Sequence, residues 1–231
     1  ISGRGRAILT IEDPVEYRIA DATQISINPK VGSSFATALK TSMRHDCDII
    51  LVGEVRDRET LDVAFQAALT GHLVLTTLHA SSIVAVLGRL QQLGLNAFMM
   101  GGSLRAIICQ RLVRKLCPDC RQAYVPQPNE RRTWGLEESG GPDTVFFAPA
   151  GCEYCDQTGF RGRTAVTHYV LLDREIRDRL SQGETEADVL PTILRRTRGR
   201  VEDYVQQLLL TGTTSAEELS TTLSMFGTGD D

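Results

Sequence analysis

Asp48-Ile49-Ile50-Leu51-Val52-Gly53-Glu54 is a nearly unbroken apolar run that ends in a glycine and an acid. It is too short for a helix and lacks the alternation of a strand with one wet face, so it predicts a strand covered on both faces, as in a parallel sheet. Upstream, Ala7-Ile8-Leu9-Thr10-Ile11 predicts a second strand, closed by Glu12-Asp13-Pro14, where proline cannot donate to a ladder. Downstream, Leu73-Val74-Leu75-Thr76-Thr77 predicts a third strand that leads to His79. Helical spacing fills the gaps. Ser33 or Ser34 can cap a helix bearing Phe35, Ala38, Leu39 and Met43, with Ser42 its polar exception. Asp57 can cap another, bearing Leu61, Ala64, Phe65 and Ala68, with Gly71 just past its end. Strand and helix alternating at this length predict an α/β fold with right-handed crossovers and a mostly parallel sheet, in which ligands bind beyond the strands' C-terminal edge. Three such edges carry Glu12, Glu54 and His79.

Two more helices are predicted, one with Ile83, Val86, Leu87 and Leu90 inward, the other with Leu104, Ile107, Ile108 and Leu112 inward. Arg111, Arg114 and Lys115 near the end of the second suit its dipole. Pro126 to Pro142 reads as loop with one helical turn. From Thr164 a short strand precedes small helices, the last opened by the capping-box pattern Ser215-Ala216-Glu217-Glu218. The tail Gly227 to Asp231 is expected to be mobile.

Composition narrows the function classes. With 231 residues and 42% hydrophobic content the chain can bury a sizeable core. A net charge of -4, from 25 basic and 29 acidic residues, supplies no basic surplus for nucleic-acid phosphates. No apolar run approaches the roughly 18 residues a membrane span needs, and Ile1-Ser2-Gly3-Arg4-Gly5-Arg6 has no signal-peptide core, so a cytosolic location is expected. The chain opens without a Met directly into a β-rich segment, and an upstream portion is expected.

In a reducing compartment, six cysteines point to thiols or metal ligands. Cys117-Pro118-Asp119-Cys120 and Cys152-Glu153-Tyr154-Cys155 each leave two residues between sulfurs, the spacing that lets both reach one tetrahedral Zn²⁺. Four thiolates close the coordination shell, so such a zinc staples a loop-rich subdomain and leaves no position for catalytic water. The competing readings are two chance pairs of buried thiols or a redox dithiol.

The acids have chemistry available to them as well. On sheets of this type one carboxylate at a strand tip holds Mg²⁺ and another polarises an attacking water. Taken singly, Glu12 and Glu54 are equally readable as solvated loop acids, and Gly53 as a turn or as a close approach to phosphate. His72 and His79 flank the third predicted strand, as packed or surface residues or as sensors of a phosphate. Arg56 is a phosphate contact or an ion pair with Asp57 or Glu59, and Thr76 and Thr77 are β-formers or hold water or phosphate. No G-x-x-x-x-G-K-[ST] phosphate loop occurs in the chain.

Together these segments resemble a known family. Ile11-Glu12-Asp13-Pro14-Val15-Glu16 resembles the Asp box, Asp48 through Asp57 the Walker B motif, and Thr70-Gly71-His72 through His79 the His box of the type II secretion and type IV pilus assembly ATPases, in the same order and spacing. Gln110 through Cys117, Gly151 to Cys155 and Thr158-Gly159-Phe160-Arg161-Gly162-Arg163 resemble the tetracysteine element of the secretion and pilus-extension branches. The likeness runs to about residue 180. The chain departs from the family pattern at Cys47, where proline usually precedes Asp48, at Ala80-Ser81, where Thr-Asn is common, and at His168, where glutamate is frequent.

The resemblance implies a RecA-like core over residues 1–113 without its phosphate loop, a tetracysteine zinc subdomain over 114–163 and a C-terminal helical subdomain over 164–231. It implies a cytoplasmic homo-hexamer, peripheral at the inner membrane through its partners, that binds ATP and Mg²⁺ between subunits and drives an inner-membrane platform protein which extracts pseudopilin or pilin subunits. Glu12 would orient the attacking water and Glu54 would act at Mg²⁺. His79, with His72 behind it, would sense the γ-phosphate, and Asp13, Gly53, Arg56 and Thr77 would complete the nucleotide site. Without the upstream loop this chain is expected to hydrolyse ATP poorly. The rival readings are a zinc-stabilised interaction module and a related ATPase for DNA uptake or conjugation, the latter disfavoured by the missing basic stripe.

Overall fold

The structure is a computed structural model that describes residues 5–28, 30, 32–136 and 144–223, without the side chains of 197–201 and 223. The tail Gly227 to Asp231 and the last part of the Pro126–Pro142 segment lie outside the described residues. The chain divides into two compact units, one of residues 1–80, 84–105 and 172–190, the other of 81–83, 106–171 and 191–231.

In the first unit the predicted strands form β1 (Ile8–Glu12), β3 (Ile49–Val52) and β4 (Leu73–Thr76). A further strand, β2 (Ala22–Ser26), completes a four-stranded sheet in the order β2-β1-β3-β4, parallel at every pairing. Leu9, Ile11, Ile49, Ile50 and Val52 are buried, as the apolar runs require of strands covered on both faces. Sequence reading passed over β2 because Ala-Thr-Gln-Ile-Ser carries no apolar alternation; this strand is only half buried and its register comes from the β1 ladder.

The crossover helices begin where their caps lie. At α1 (Phe35–Ser42), Ser34 accepts the Thr37 amide while the Thr37 hydroxyl receives the Ser34 amide, a reciprocal capping box. At α2 (Arg58–Leu69), Asp57 accepts the Thr60 amide at 2.8 Å and the buried Thr60 hydroxyl at 3.0 Å. The stretch continues through α3 (Ile83–Gln92) and α4 (Ala97–Ser103), and α6 (Arg174–Ser181) also belongs to this unit. Gly101 is where α4 meets α6, since a Cβ there would sit 2.3 Å from Arg177 O.

The second unit corrects one prediction. Leu104, Ile107, Ile108 and Leu112 do not share a helix; residues Ala106–Leu116 form β5, antiparallel to β8 (Phe160–Leu171). Burial alternates along β5, with Ile107, Cys109 and Val113 inward and Ile108, Gln110 and Leu112 outward, so the period is two. The strand expected from Thr164 starts at Phe160 and is long. Around this ribbon lie β6 (Gln122–Tyr124), α5 (Pro128–Thr133), β7 (Phe146–Ala148), a 3-10 turn (Glu153–Cys155), the later part of α7 (Glu186–Leu210) and α8 (Ala216–Leu223). Val166, Val170, Val205, Leu208, Leu209 and Leu219 are buried in this unit. The helical turn expected after Pro126 is α5, and the Ser215 cap accepts the Glu218 amide at 3.2 Å as its pattern predicts.

Candidate functional site: acids at the sheet edge and a four-cysteine cluster

Parallel pairing brings the C-terminal ends of β1, β3 and β4 to one edge, and with them Glu12, Glu54 and His79. Ile11 is in register with Val52, so Glu12 lies beside Gly53. The Gly53 amide donates to Ile11 O at 2.8 Å, and a Cβ on Gly53 would lie 3.2 Å from that oxygen and 3.5 Å from Glu12 Cα. Glycine suits this close approach of two strand ends, where any Cβ would crowd main chain. On the other side, the Thr77 hydroxyl donates to Gly53 O at 2.6 Å and the Val55 amide to Thr77 O at 3.1 Å, which carries the β3–β4 pairing past the strand ends.

Glu54 is largely enclosed, its side chain 14% exposed. Arg56 Nε donates to its Oε2 at 2.6 Å. His79 Nε2 lies 2.7 Å from Oε1, an ion pair when the imidazole is protonated, while this buried oxygen accepts no hydrogen bond from the described residues. A buried acceptor without a partner costs about 1–3 kcal/mol, more when charged, unless a water or cation completes it. Glu54, Val55, Arg56, His79 and Arg89 line an open cavity of about 240 Å³. Sequence reading missed Arg89. It sits in the last turn of α3, has no ion-pair partner among the described residues, and gave no signal beyond being a cation on an apolar helix.

Glu12 is held differently. Its Oε1 accepts from the Thr10 hydroxyl at 2.6 Å and from Gln24 Nε2 at 3.0 Å, whereas no donor among the described residues reaches Oε2. One oxygen is anchored and the other is free to take a proton. Asp13 is exposed in the turn after β1, where a cis peptide joins it to Pro14. His72 is not brought to Glu54. Its Nδ1 lies 3.0 Å from Ala67 O at the start of β4, and the four-residue strand between it and the His79 end spans about 13 Å.

The predicted cysteine pairs do meet. All four sulfurs lie within 4.8 Å of one another, at 3.9 Å for Cys117–Cys152, 3.8 Å for Cys120–Cys155 and 3.7 Å for Cys152–Cys155. No disulfide forms. A tetrahedron with zinc–sulfur bonds of about 2.3 Å has edges of about 3.8 Å, so the cluster fits that ion. The amides of Gly151, Cys152 and Gly159 point at the sulfurs, Gly151 to Cys120 Sγ at 3.3 Å and the other two to Cys155 Sγ at 3.3 and 3.2 Å. Burial raises the pKa of Cys155, but the Cys152 and Gly159 amides together with the Cys152 and Cys120 side chains outweigh it and bring the thiol down to about 6, while burial pushes Cys152 up to about 12. His168 stands opposite Cys109 across β5 and β8, and burial lowers the histidine and raises the thiol, so both are neutral near pH 7.

The family model described as Type II/IV secretion system protein matches residues 1–221. The chain belongs to this family. Among curated relatives, the type II secretion system protein E of Dickeya dadantii (strain 3937) is 41% identical over 214 residues, which is 93% of this chain and 42% of that protein. The type IV pilus assembly ATPase PilB of Thermus thermophilus is 38% identical over 210 residues, 91% of this chain and 24% of that protein. The secretion-family chain thus spans less than half the length of these relatives. A crystal structure of the pilus retraction motor PilT with bound ADP superposes with a TM-score of 0.63 at 25% identity, covering 94% of this chain and 52% of that one. The Legionella pneumophila ATPase DotB shares the fold, at a TM-score of 0.67 and 23% identity over 98% of this chain and 54% of that one.

Proposed function

We propose that this chain is part of a motor ATPase that couples ATP hydrolysis to pseudopilus or pilus assembly and protein secretion. The observation that carries the reading is the Glu54 carboxylate, largely enclosed at the C-terminal edge of a parallel sheet with one oxygen on Arg56 and the other 2.7 Å from His79, beside the half-anchored Glu12. Glu12 Oε2, which receives no donor among the described residues, suits a water, and Glu54, which lines the cavity shared with Arg56, His79 and Arg89, suits a cation. Mg²⁺ bound with ATP supplies neutralisation of phosphate charge. Glu54 would hold it directly or through water, and Glu12 Oε2 would orient the attacking water and take its proton. Arg56, His79 and Arg89 offer cations and donors toward the γ-phosphate, while Gly53 and Thr77 keep the strand ends together; Asp13 borders the site. His72 buttresses the α2–β4 junction from which the strand leads to His79. The four cysteines would hold a structural zinc.

The family relationship supports the further proposal of a homo-hexamer on the cytoplasmic side of the inner membrane, acting on a platform protein and contacting no nucleic acid directly. No helix among the described residues is long and apolar enough to cross a membrane. The test is ATP turnover by the full-length protein. Glu54→Gln and Glu12→Gln are each expected to lower kcat at least a hundredfold with a melting temperature within about 2 °C of the parent. This chain alone is expected to show negligible turnover. Wild-type turnover by both variants would remove the roles given to Glu54 and Glu12, whereas no turnover by the full-length parent would leave the zinc-stabilised interaction module as the better description.

A further inference from the structure

We propose that Gln24, on the edge strand β2, is a positioning residue for Glu12 and ties that carboxylate to the exposed loop carrying Tyr17 and Ile19. The inference rests on the reading of Glu12 as the acid that serves the attacking water. Thr10 and Gln24 are in register on neighbouring parallel strands, and Thr10 and Glu12 share a face of β1, so the three side chains converge. The orientation of the Gln24 amide is dictated by partners of opposite kind. Its Oε1 accepts the Ile19 amide at 2.8 Å, and its Nε2 donates to Tyr17 O at 3.0 Å. A backbone amide can only donate and a carbonyl only accept, so reversing the side chain would break both bonds. With that orientation set, the second proton of Nε2 falls to Glu12 Oε1 at 3.0 Å, and every hydrogen of the Gln24 amide is used. Glu12 is thereby held on the same oxygen that buried Thr10 holds, with Oε2 left for chemistry. The loop that Gln24 clamps is exposed, with Tyr17 at 83% and Ile19 at 45%.

Two variants of the full-length protein test this beside Glu12→Gln. Gln24→Glu keeps an acceptor for Ile19, removes the donor to Glu12 and sets a like charge beside it. Gln24→Met removes the hydrogen bonds and adds no charge. Both are expected to lower kcat about tenfold or more while KM for ATP stays within about twofold, because substrate binding does not pass through Glu12. Only Gln24→Glu is expected to move the acid limb of the kcat–pH profile upward, by about one pH unit, since a neighbouring carboxylate opposes ionisation. A purely structural role would lower the melting temperature and raise KM with the limb unmoved, and that result overturns the proposal. Parent kcat and profile in both variants, with Glu12→Gln inactive, also overturn it and leave the reading of Glu12 intact. Full activity in Glu12→Gln removes that reading and the proposal with it.

Discussion

The sheet edge and the cysteine cluster both gather side chains from distant parts of the chain, but they do so at opposite ends of the range of burial. At the edge, His79 is 90% exposed and Arg56 66%, and Glu54 is 14% exposed. In the cluster Cys117 and Cys155 are buried and backbone amides are spent on sulfur. The edge draws its geometry from strands that Ile11, Ile50 and Val52 hold in the core with or without the acids. The cluster is flanked by short elements, since β6 and β7 have three residues each and Glu153–Cys155 is a single 3-10 turn. Substitutions at the edge should therefore change turnover more than stability, and substitutions in the cluster the reverse.

The largest effect separating the two is expected at the cluster. Structural zinc sites contribute about 10–16 kcal/mol of apparent binding free energy, which is folding free energy for the segment they close. If the cluster holds zinc as proposed, Cys117→Ser is expected to abolish its binding and to unfold the segments around residues 117–124 and 146–160, seen as protease sensitivity there. A chelator should do the same to the parent protein. Full protease resistance in zinc-free Cys117→Ser would mean that the amides and surrounding packing hold the loops unaided, and the contrast between the regions would collapse.

A smaller effect is expected at Gly53, where the contrast is sharpened because backbone, not side chain, makes the site. Gly53→Ala places a methyl 3.2 Å from Ile11 O, against main chain that moves only if β1 and β3 separate. Crowding of this kind costs about 1–3 kcal/mol. The expected result is a lower urea midpoint together with lost ATP turnover, whereas Glu12→Gln loses turnover alone.

How much of this was legible depended on whether a feature is local in sequence. The strand tips were, because an apolar run that stops at an acid states both its burial and its end: Val52-Gly53-Glu54 and Ile11-Glu12 are where they were expected. The cysteine spacing was local too. The strand β5 was not, since outward Ile108 and Leu112 and an inward Cys109 disguise a period of two as helical spacing, and only pairing with β8 resolves it. The bonds of Thr10 and Gln24 to Glu12 arise from register between β1 and β2, which no window of sequence contains. Arg89 reaches the cavity only because the last turn of α3, the helix after β4, lies there. The separation of His72 from His79 was readable in principle, since an intervening strand places its two ends apart.

The smallest effect concerns a charge that belongs to neither site, and it tests whether the second unit depends on the cluster alone. Glu218, in the first turn of α8, accepts the Arg114 amide at 2.9 Å on Oε1 and Arg114 Nε and Nη2 at 3.0 and 2.6 Å on Oε2. It thereby joins α8 to β5 near the register shift between Arg114 and Leu116. The guanidinium beside it holds the Glu218 carboxyl below its ordinary value of 4.5, although burial opposes this. A folded-state pKa below the unfolded one gives stability that is fully present above about 4.5 and is lost as pH falls through the lower, folded value. Arg114 is 56% exposed, so solvent screens the pair and Glu218→Gln is expected to cost only about 0.5–1 kcal/mol at pH 7. Urea melts of parent and variant should differ by that amount at neutral pH and converge once Glu218 is protonated. An equal difference at pH 7 and at low pH would assign the effect to the shape of the contact, whereas convergence assigns it to the charge.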